Sequence, residues 1–475
     1  MGNSFAVIMI LTWPLVAALL FSRLPPLNAI IWTLLGGYLV LPPVVAIDLP
    51  LIMLNKESIT SLSALVGAVL TAPRGGGGSR RAEGPRFELW VKLLILVMVV
   101  APLPTALQNP EPLIEGMSLR PGLTFYDGIS SSVEMMLTLI PFYIGHRFVS
   151  SPEALVQILR ALLLAGLAYS LPMLLEIRLS PQLNVWIYGF FAHDFSQMIR
   201  YGGFRPMVFL AHGLWLALFA STSVMAAAVW LRLRRGTPGG GMRLAALLWL
   251  GMVLVLCKSV AALIYAVIFV PVLLLMQPRR QMILAGLIAL AAFAYPIARW
   301  TGSFPADALA DFAVGLDAER GQSLEFRFDN EQILLERATL KPLTGWGGWG
   351  RNQIVDPETG RYASVTDGQW IIQLSVFGII GYLGMFGLLC GAAIRSGLYA
   401  WRGGAARLQG STGIAVAALS VIHAVGMADL IPNATLTTLT WLCAGALLGH
   451  VAHVWQPAGA APAAPGLSPK LRTVL

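Results

Sequence analysis

Arginines that could bind a phosphate group, with carboxylate and histidine side chains that could accept a proton, gather in two stretches of this chain. Residues 198–214 read MIRYGGFRPMVFLAHGL, and residues 327–384 begin at an arginine and run through a charged region into apolar sequence. Guanidinium groups bind phosphates through paired N–H bonds and stabilise the negative charge of a phosphate leaving group. We therefore expect an anion-binding site built from these two stretches.

The candidate anion ligands are arginines that we expect on the outer side of a membrane, where the positive-inside bias disfavours them. They are Arg200, Arg205, Arg327, Arg337 and Arg351. The alternative for such an arginine is a structural salt bridge. Arg327, for example, lies one helical turn from Glu331 and could pair with it.

The candidate proton acceptors are His212, Asp367 and, as a fallback, Glu331. We expect His212 about two turns inside an apolar span, where an ionisable group is costly and therefore usually has a function. A hydrogen-bonded contact between helices is its alternative role. Residues 366–369 (TDGQ) fit a capping box, with Thr366 as the cap and Gln369 three residues later. That pattern leaves Asp367 free for function.

Three further residues are candidate substrate ligands, and each has a simpler alternative. Lys258 could bind an anion or could extend its ammonium group to water from a helix end. Trp346 and Trp349 could stack on a sugar or could anchor the chain at the membrane interface.

The composition decides which elements must position these residues. Hydrophobic residues make up 57% of the chain and charged residues 12%, and the mean hydropathy is +0.73. Apolar stretches long enough to span a bilayer recur throughout, which predicts an all-α polytopic membrane protein with about 12 transmembrane helices. The predicted spans are 4–21, 27–47, 89–107, 129–146, 153–175, 206–230, 243–257, 260–276, 281–299, 368–394, 412–428 and 434–453.

The run 242–277 tests that number of spans. As one helix it would be roughly 54 Å long, against about 30 Å of hydrocarbon. Arginines flank both of its ends, so we expect a hairpin with Lys258 at its tip. Both termini are then expected in the cytoplasm, and the loops 108–128, 176–205 and 300–366 in the periplasm.

The chain is thereby divided into four parts. Residues 1–299 form nine transmembrane helices with a basic cytoplasmic linker, 73–88, and residues 300–366 form the long, partly helical periplasmic loop. Residues 367–455 form three more transmembrane helices, and 456–475 are expected to be a disordered cytoplasmic tail. Residues 48–72 are expected in the cytoplasm, with a stretch too short to span lying along the interface.

Several classes of function are disfavoured. The net charge of +9 resides in short loops between apolar segments, so we expect no nucleic-acid partner. The three cysteines lie in or beside apolar segments, and we expect neither a disulfide nor a metal site. There is no Walker A loop and no Asp-x-Asp pair. A substrate carried by lipid is therefore expected, with no cofactor.

The long outer loop has an internal pattern of its own. Residues 324–341 predict a helix, Pro342 ends it, and the glycines of 345–350 (GWGGWG) predict a tight turn. The chain then re-enters the membrane after Thr366. Glycines at 378, 381, 384 and 387 give that last helix a small face suited to close packing.

This arrangement resembles the O-antigen ligase/polymerase superfamily. The features that carry the resemblance are the arginine-led helix, the glycine turn, the glycine-rich re-entering helix and the glycine/arginine-rich segment before His212. The resemblance implies a metal-independent glycosyltransferase of the bacterial inner membrane. It would transfer a glycan from undecaprenyl pyrophosphate to an acceptor hydroxyl at the periplasmic face.

The resemblance also implies roles and partners. Arg327 matches the arginine that opens the loop helix, and Arg205 is a looser match to an earlier one; both would bind the pyrophosphate. Where ligases commonly have His-Asn at the re-entry, this chain has Thr366 and Asp367. A polysaccharide polymerase is therefore favoured over a ligase proper, with a transporter or flippase for lipid-linked sugars and a non-catalytic scaffold as further alternatives. The implied partners are the lipid-linked oligosaccharide donor, the glycan acceptor, membrane lipids and polysaccharide-assembly or export proteins.

Overall fold

A computed structural model describes residues 2–72, 85–403 and 410–454, and within them the chain is almost entirely helical. The expected all-α class is confirmed. Most of the linker 73–88 and the whole tail 456–475 lie outside the described residues. The helices are α1 Ser4–Arg23, α2 Pro26–Val40, α3 Lys56–Thr71, α4 Leu89–Val100, α5 Pro102–Leu107, α6 Phe125–Phe148, α7 Pro152–Leu179, α8 Leu183–Tyr188, α9 Gly213–Leu233, α10 Gly240–Leu256, α11 Val260–Leu275, α12 Pro278–Trp300, α13 Ala306–Leu316, α14 Ala318–Thr339, α15 Gln369–Trp401, α16 Gly410–Asp429 and α17 Thr438–Val454.

The strands are short and form three antiparallel hairpins in the loops. They pair β1 Ile47–Leu49 with β2 Ile52–Leu54, β3 Leu113–Glu115 with β4 Ser118–Arg120, and β5 Ile199–Arg200 with β6 Gly203–Phe204. Each hairpin is a separate two-stranded sheet that lies between two helices in the chain, so the strands position loops.

Eight helices in the described residues are long and apolar enough to cross a membrane. They are α1, the α4–α5 pair, α6, α7, α9, α12, α15 and α16. Four shorter apolar helices, α2, α10, α11 and α17, coincide with the other predicted spans. The chain is therefore a helical membrane protein.

The expected helical hairpin is present. α10 ends at Leu256 and α11 begins at Val260, with Lys258 in the turn between them at a φ of 53°. Positive φ is uncommon for a residue with a side chain. The turn therefore holds Lys258 in a conformation that the surrounding contacts must stabilise.

The bundle has two ends that differ in content. The end that has the loops 108–124, 180–212 and 301–368 is called the loop end here. The other is called the basic end, because Arg147, Arg235, Arg279 and Arg402 lie at or beyond the helix ends there. Contacts between residues that are far apart in sequence show which helix ends lie together. His450 Nδ1 lies 2.9 Å from the Ser150 carbonyl at the basic end, and Arg327 contacts Asn433 at the loop end.

Two expectations about sidedness are wrong. The Leu51 backbone N–H donates to the Tyr126 hydroxyl at 3.1 Å, so the β1–β2 hairpin lies at the loop end. α3 then runs to the basic end, where Gly67 packs against Phe21, and residues 48–72 do not lie along one surface. The Asn3 N–H donates to the Tyr188 carbonyl at the loop end, whereas α17 ends at the basic end. The two terminal helices therefore have their outer ends on opposite sides, which contradicts two cytoplasmic termini.

The loop helix and the glycine turn expected from the sequence are both present. α14 covers Ala318–Thr339 and so begins six residues before the expected start. Gly345, Gly347 and Gly350 have φ values of 69°, 81° and 68°. A Cβ atom at residue 345 would lie 2.5 Å from the Val376 carbonyl, so this turn approaches another backbone as closely as glycine permits.

That turn is inserted into a break in α15. Gly378 has a φ of 65° and a ψ of −167°, which interrupts the helix at its tenth residue. The backbone groups freed by the break bond to the loop: Ile379 N–H donates to the Pro342 carbonyl at 2.8 Å, and Gly347 N–H to the Val376 carbonyl at 2.9 Å. Helix breaks at membrane depth require such substitute partners. The re-entry expected after Thr366 is therefore a half-helix joined to the loop 342–347.

The glycines beyond the break pack as their spacing predicts. Cβ atoms at Gly384 and Gly387 would lie 2.8 Å from Met98 and 2.9 Å from Leu94, both on α4. Small residues let two helix backbones approach closely. This contact fixes the second half of α15 against α4 and leaves the first half to face the loop end.

Candidate functional site

A cavity of about 350 Å³ at the loop end brings together four of the cationic side chains singled out in the sequence. They are Arg200, Arg205, Lys258 and Arg327, and they come from the β5–β6 hairpin, the α10–α11 turn and α14. Uncharged residues complete the lining, among them Pro432 and Asn433, and no carboxylate of the described residues takes part. We call this the cationic cavity.

Arg205 is the most enclosed of the four, with 9% of the residue exposed. One terminal nitrogen donates to the Lys258 carbonyl at 3.1 Å, and its Nε has no hydrogen-bond partner among the described residues. Burial, with the nearby charges of Arg200 and Arg327, lowers the pKa of Arg205 to about 10. The side chain is thus still charged at neutral pH, and no carboxylate in the described part of the chain forms an ion pair with it.

Glycine makes room for Arg205. A Cβ atom at residue 213 would lie 2.3 Å from the Arg205 Cδ, so only glycine at the first position of α9 lets the guanidinium reach the cavity. The Arg205 N–H is bonded to the Met198 carbonyl at 2.7 Å, beyond the ends of the β5–β6 pair. Backbone and side chain are therefore both positioned.

Lys258 connects the hairpin tip to the β5–β6 turn. Its ammonium group donates to the carbonyls of Arg200 at 2.8 Å and Tyr201 at 3.3 Å. These contacts replace the expected extension toward water and account for its unusual backbone conformation. Lys258 adds a charge to the cavity and holds Arg200 at its edge.

Arg327 extends from α14 toward the segment that joins α16 to α17. One terminal nitrogen donates to the Pro432 carbonyl at 3.3 Å and the Asn433 side-chain oxygen at 3.4 Å. Its Nε lies 3.7 Å from Asp367, and both side chains are about one-third exposed. The alternative pairing of Arg327 with Glu331 is therefore wrong.

Glu331 is buried on another side of α14 and has its own partners. The Tyr295 hydroxyl donates to it at 2.7 Å, the Trp370 indole N–H at 3.4 Å, and Arg299 lies 3.6 Å away. Burial raises the pKa of Glu331. The carboxyl group fixes α14 to α12 and α15, and it does not line the cationic cavity.

His212 lies outside the helix, which corrects its expected position two turns inside a span. It is the N-cap of α9, and its Nδ1 accepts the Leu214 N–H at 3.0 Å. Its Nε2 lies 3.2 Å from the Gln197 side-chain oxygen, so a neutral ring donates there. Burial, with the charges of His193 and the cavity arginines, lowers the pKa of His212 to about 3. Neither ring nitrogen has a free lone pair in this arrangement.

The capping box expected at Thr366 is absent. The residue before α15 is Gly368, which has no side-chain cap, and the Gln369 N–H is bonded to the Leu430 carbonyl at 3.0 Å. Asp367 takes no part in capping. It faces Arg327 at the rim of the cationic cavity, and 39% of its side chain is exposed.

Arg337 and Arg351 lie in a separate, structural network. Arg337 donates to Glu115 at 2.8 Å and to the Arg351 carbonyl at 2.7 Å, and its guanidinium lies 4.4 Å from the Trp346 ring centre. Arg351 donates to the Pro121 carbonyl at 2.7 Å. This network attaches the β3–β4 hairpin to the glycine turn and does not reach the cationic cavity.

The two tryptophans of the glycine turn differ. The Trp346 indole N–H donates to the Arg337 carbonyl at 2.8 Å, so its ring is an internal support. Trp349 is 65% exposed and lines another opening, together with Tyr126 and Asp127. Neither lies in the cationic cavity.

The sequence did not single out Asp429, which organises one wall of the site. It is buried at the end of α16 and accepts hydrogen bonds from Asn433 at 3.0 Å and Thr435 at 2.6 Å. Asn433 in turn contacts Arg327. A carboxylate three residues before Pro432, at the end of an apolar span, was the available signal.

Neither a scan against models of protein families nor a search of curated proteins finds a match to this chain. Its function must therefore be inferred from the residues of the site.

Proposed function

We propose that this chain is a membrane glycosyltransferase of the O-antigen ligase/polymerase type that takes a glycan from a lipid pyrophosphate. The observation that supports this most is the cationic cavity, in which four positive side chains meet with no carboxylate in the described lining. A buried charge normally has a partner, because removing it from water is costly. A diphosphate group would be that partner for Arg205, and Arg327, about one-third exposed at the same cavity, would contact it as well.

The proposed chemistry is a single inverting displacement. The acceptor hydroxyl oxygen forms the new bond to the anomeric carbon as the bond from that carbon to the pyrophosphate oxygen breaks. Arg205 and Arg327 stabilise the negative charge on the departing pyrophosphate. Asp367 accepts the proton of the attacking hydroxyl. Asp367 is favoured over His212 because it is at the cavity rim and partly exposed, whereas both nitrogens of His212 are engaged.

The membrane orientation follows from the distribution of basic residues. We place the basic end in the cytoplasm and the loop end in the periplasm of a bacterial inner membrane. The twelve predicted spans then cross the bilayer, and α3 crosses it as an additional helix. With α3 included, the β1–β2 hairpin and Asn3 both lie on the periplasmic side.

A flippase for the same lipid-linked sugar is a second candidate, because α15 is broken at Gly378. Transporters use discontinuous helices to build substrate sites near the midplane. Here the freed backbone groups are bonded to residues 342–347, so they are not available to a substrate. We therefore favour the transferase.

Deletion of the gene in its host separates the candidates by gel profiles of surface glycan and lipid-linked intermediates. For a polymerase, we expect long polymer to disappear while single repeat units remain on the lipid. Long polymer that is made but not attached would indicate a ligase proper. Lipid-linked units trapped on the cytoplasmic side would indicate a flippase and contradict the proposed transferase.

A further inference from the structure

A second, larger cavity of about 600 Å³ lies at the loop end and adjoins the cationic cavity, because residues next to each other in the chain line the two. Gln369 lines it, two residues after the Asp367 that faces Arg327, and Ala434 lines it next to the Asn433 of the cationic cavity. Its volume is within the range of small-molecule sites, roughly 300–1,000 Å³. The segments 367–369 and 433–434 are therefore the boundary between two adjacent cavities.

The charged groups of this second cavity have few protein partners. Glu57 and Glu134 line it, and neither carboxylate accepts a hydrogen bond from another residue in the described part of the chain. Glu134 lies within α6, a helix apolar enough to span a membrane. A carboxylate at that depth must face water or a ligand and not lipid, because its charge is expensive to place in hydrocarbon.

Lys56 adds a buried positive charge to the same wall. Only 4% of the residue is exposed, and its ammonium group donates to the Phe209 carbonyl at 3.1 Å. It has no ion pair with a carboxylate in the described residues. The same ammonium group lies 5.4 Å from the centre of the Tyr38 ring, so a charge and an aromatic ring meet behind this wall.

The rest of the lining determines the class of ligand. Serine and threonine hydroxyls and the partly exposed ring of Trp215 complete it, with the buried Trp441 behind them. Hydroxyls and carboxylates exchange hydrogen bonds with sugar hydroxyls, and an indole ring offers an apolar face to a sugar ring. A diphosphate fits poorly here, because Glu57 and Glu134 would repel it. The second cavity thus complements a hydroxyl-rich saccharide and the cationic cavity an anion.

We infer that the second cavity binds the saccharide acceptor, with Glu57 and Glu134 receiving hydrogen bonds from its hydroxyls. The role of acceptor site rests on the proposed glycosyl transfer. A sugar bound here would present a hydroxyl group across this boundary between the cavities, toward Asp367 and toward the anomeric carbon of a donor bound at Arg327.

Two binding measurements on the purified full-length chain in detergent test this inference. The first probe is an oligosaccharide released by mild acid from the host's own surface glycan, and the second is undecaprenyl pyrophosphate. The double variant Glu57→Gln/Glu134→Gln should bind the oligosaccharide about tenfold more weakly or worse, because two charge-assisted hydrogen bonds become neutral ones. It should bind undecaprenyl pyrophosphate as the wild type does.

Glu358→Gln is the matched control, because Glu358 is an exposed acidic residue at the same end that lines neither cavity. It should leave both affinities unchanged. Unchanged oligosaccharide affinity in the double variant would overturn the inference.

Arg327→Ala should show the reverse pattern, with pyrophosphate binding lost and oligosaccharide binding kept. Retained pyrophosphate binding there would count against the proposed function and not against this cavity.

A third measurement avoids the carboxylate substitutions, in case they impair folding. Thr138→Cys places a thiol in the cavity lining, while the three native cysteines are buried. The oligosaccharide should slow modification of this thiol by a maleimide, and undecaprenyl pyrophosphate should not. A modification rate unaffected by the oligosaccharide would overturn the inference.

Discussion

The guanidinium groups at the loop end divide by the partners they have. Arg337 and Arg351 donate to carbonyls and to Glu115, so their hydrogen bonds are used within the protein. Arg205 has one carbonyl contact and an unpartnered Nε. Arg327 has only long contacts, of 3.3 Å or more. We therefore assign the proposed anion binding to Arg205 and Arg327 and not to all the arginines expected on the outer side.

His212→Asn tests whether this histidine transfers protons or only caps α9. Asparagine is as good an N-cap as any residue, so we expect the variant to keep transferase activity and stability. His212→Ala should instead cost about 1 kcal/mol of stability. Since burial lowers the pKa of His212 to about 3, the ring stays neutral from about pH 5 to 8 and should add no step to the rate profile there.

The measurements are polymer formation against pH and the thermal midpoint in detergent. A well-folded His212→Asn protein that has lost activity would assign a proton-transfer role to the histidine.

Asp367→Asn tests the proposed base. An ion pair that is one-third exposed is worth under about 1 kcal/mol, so the thermal midpoint should hardly change. Loss of a general base should lower the rate by about 10² to 10⁴. Glu358→Gln, an exposed acid in the same loop, is the control and should remain active. Near-normal polymer from Asp367→Asn would remove this residue from the mechanism.

At the scale of elements, the break in α15 determines where the site lies. The loop 342–347 fills the break, and the half-helix before it begins next to Asp367 and contains Trp370 in its first turn. Trp370 contacts Glu331 on α14, the helix that presents Arg327. The broken helix, the loop and α14 are thus one connected support for the cationic cavity.

Gly378→Ala should destabilise the folded protein strongly. A Cβ at this residue would lie 2.3 Å from the Leu343 carbonyl, and the positive φ adds strain of about 1–3 kcal/mol. Gly251→Ala is the matched control, because nothing lies within 4 Å of that position on α10. The control should be neutral or stabilising by up to about 1 kcal/mol. Thermal unfolding in detergent measures both, and equal midpoints for the two variants would refute the role given to the break.

For the whole molecule, hydropathy predicted the long apolar helices well but not the path of α3 from the loop end to the basic end. The serines and threonines of α3 lower its apolar character. Yet Thr60, Ser61 and Ser63 donate to carbonyls four residues earlier, which satisfies their hydroxyls within the helix. A hydropathy average counts these serines and threonines as polar, so it does not predict that α3 runs from one end of the bundle to the other. Without that passage, Asn3 and the β1–β2 hairpin were both assigned to the wrong side.

Some residues of the candidate site could be predicted from the sequence, and others could not. Arginines are unusual on the outer side, and that signal singled out Arg200, Arg205 and Arg327, which line one cavity, but also Arg337 and Arg351, which do not. The partners of residues 366–369 were not predictable, because the Gln369 N–H is bonded to carbonyls of 430 and 433, which are distant in sequence. Lys56, Glu57 and Glu134 were missed because their helices were assigned to the wrong side or treated as uniformly apolar.

The corrected sidedness can be tested by single-cysteine labelling in a variant without native cysteines. Leu49→Cys lies in the β1–β2 hairpin and Met117→Cys in the β3–β4 hairpin, and both positions are exposed. A membrane-impermeant thiol reagent should reach both from the same side, and Gly236→Cys, between α9 and α10, from the other. Leu49→Cys labelled together with Gly236→Cys would contradict the path of α3.

Arg327→Lys is the measurement that tests the central claim most directly. Lysine keeps the positive charge but loses the planar pair of donors that a guanidinium offers to a pyrophosphate. Loss of one preorganised donor to a developing anion costs about 3 kcal/mol, on the order of a hundredfold in rate. The assay is polymer formed by purified protein in liposomes supplied with lipid-linked repeat units. Arg361→Lys, an exposed arginine of the same loop, is the control. We expect the rate of polymer formation by Arg327→Lys to fall about a hundredfold at normal abundance, while the rate of the control is unchanged. Polymer formed at the wild-type rate by Arg327→Lys would contradict pyrophosphate binding at this arginine.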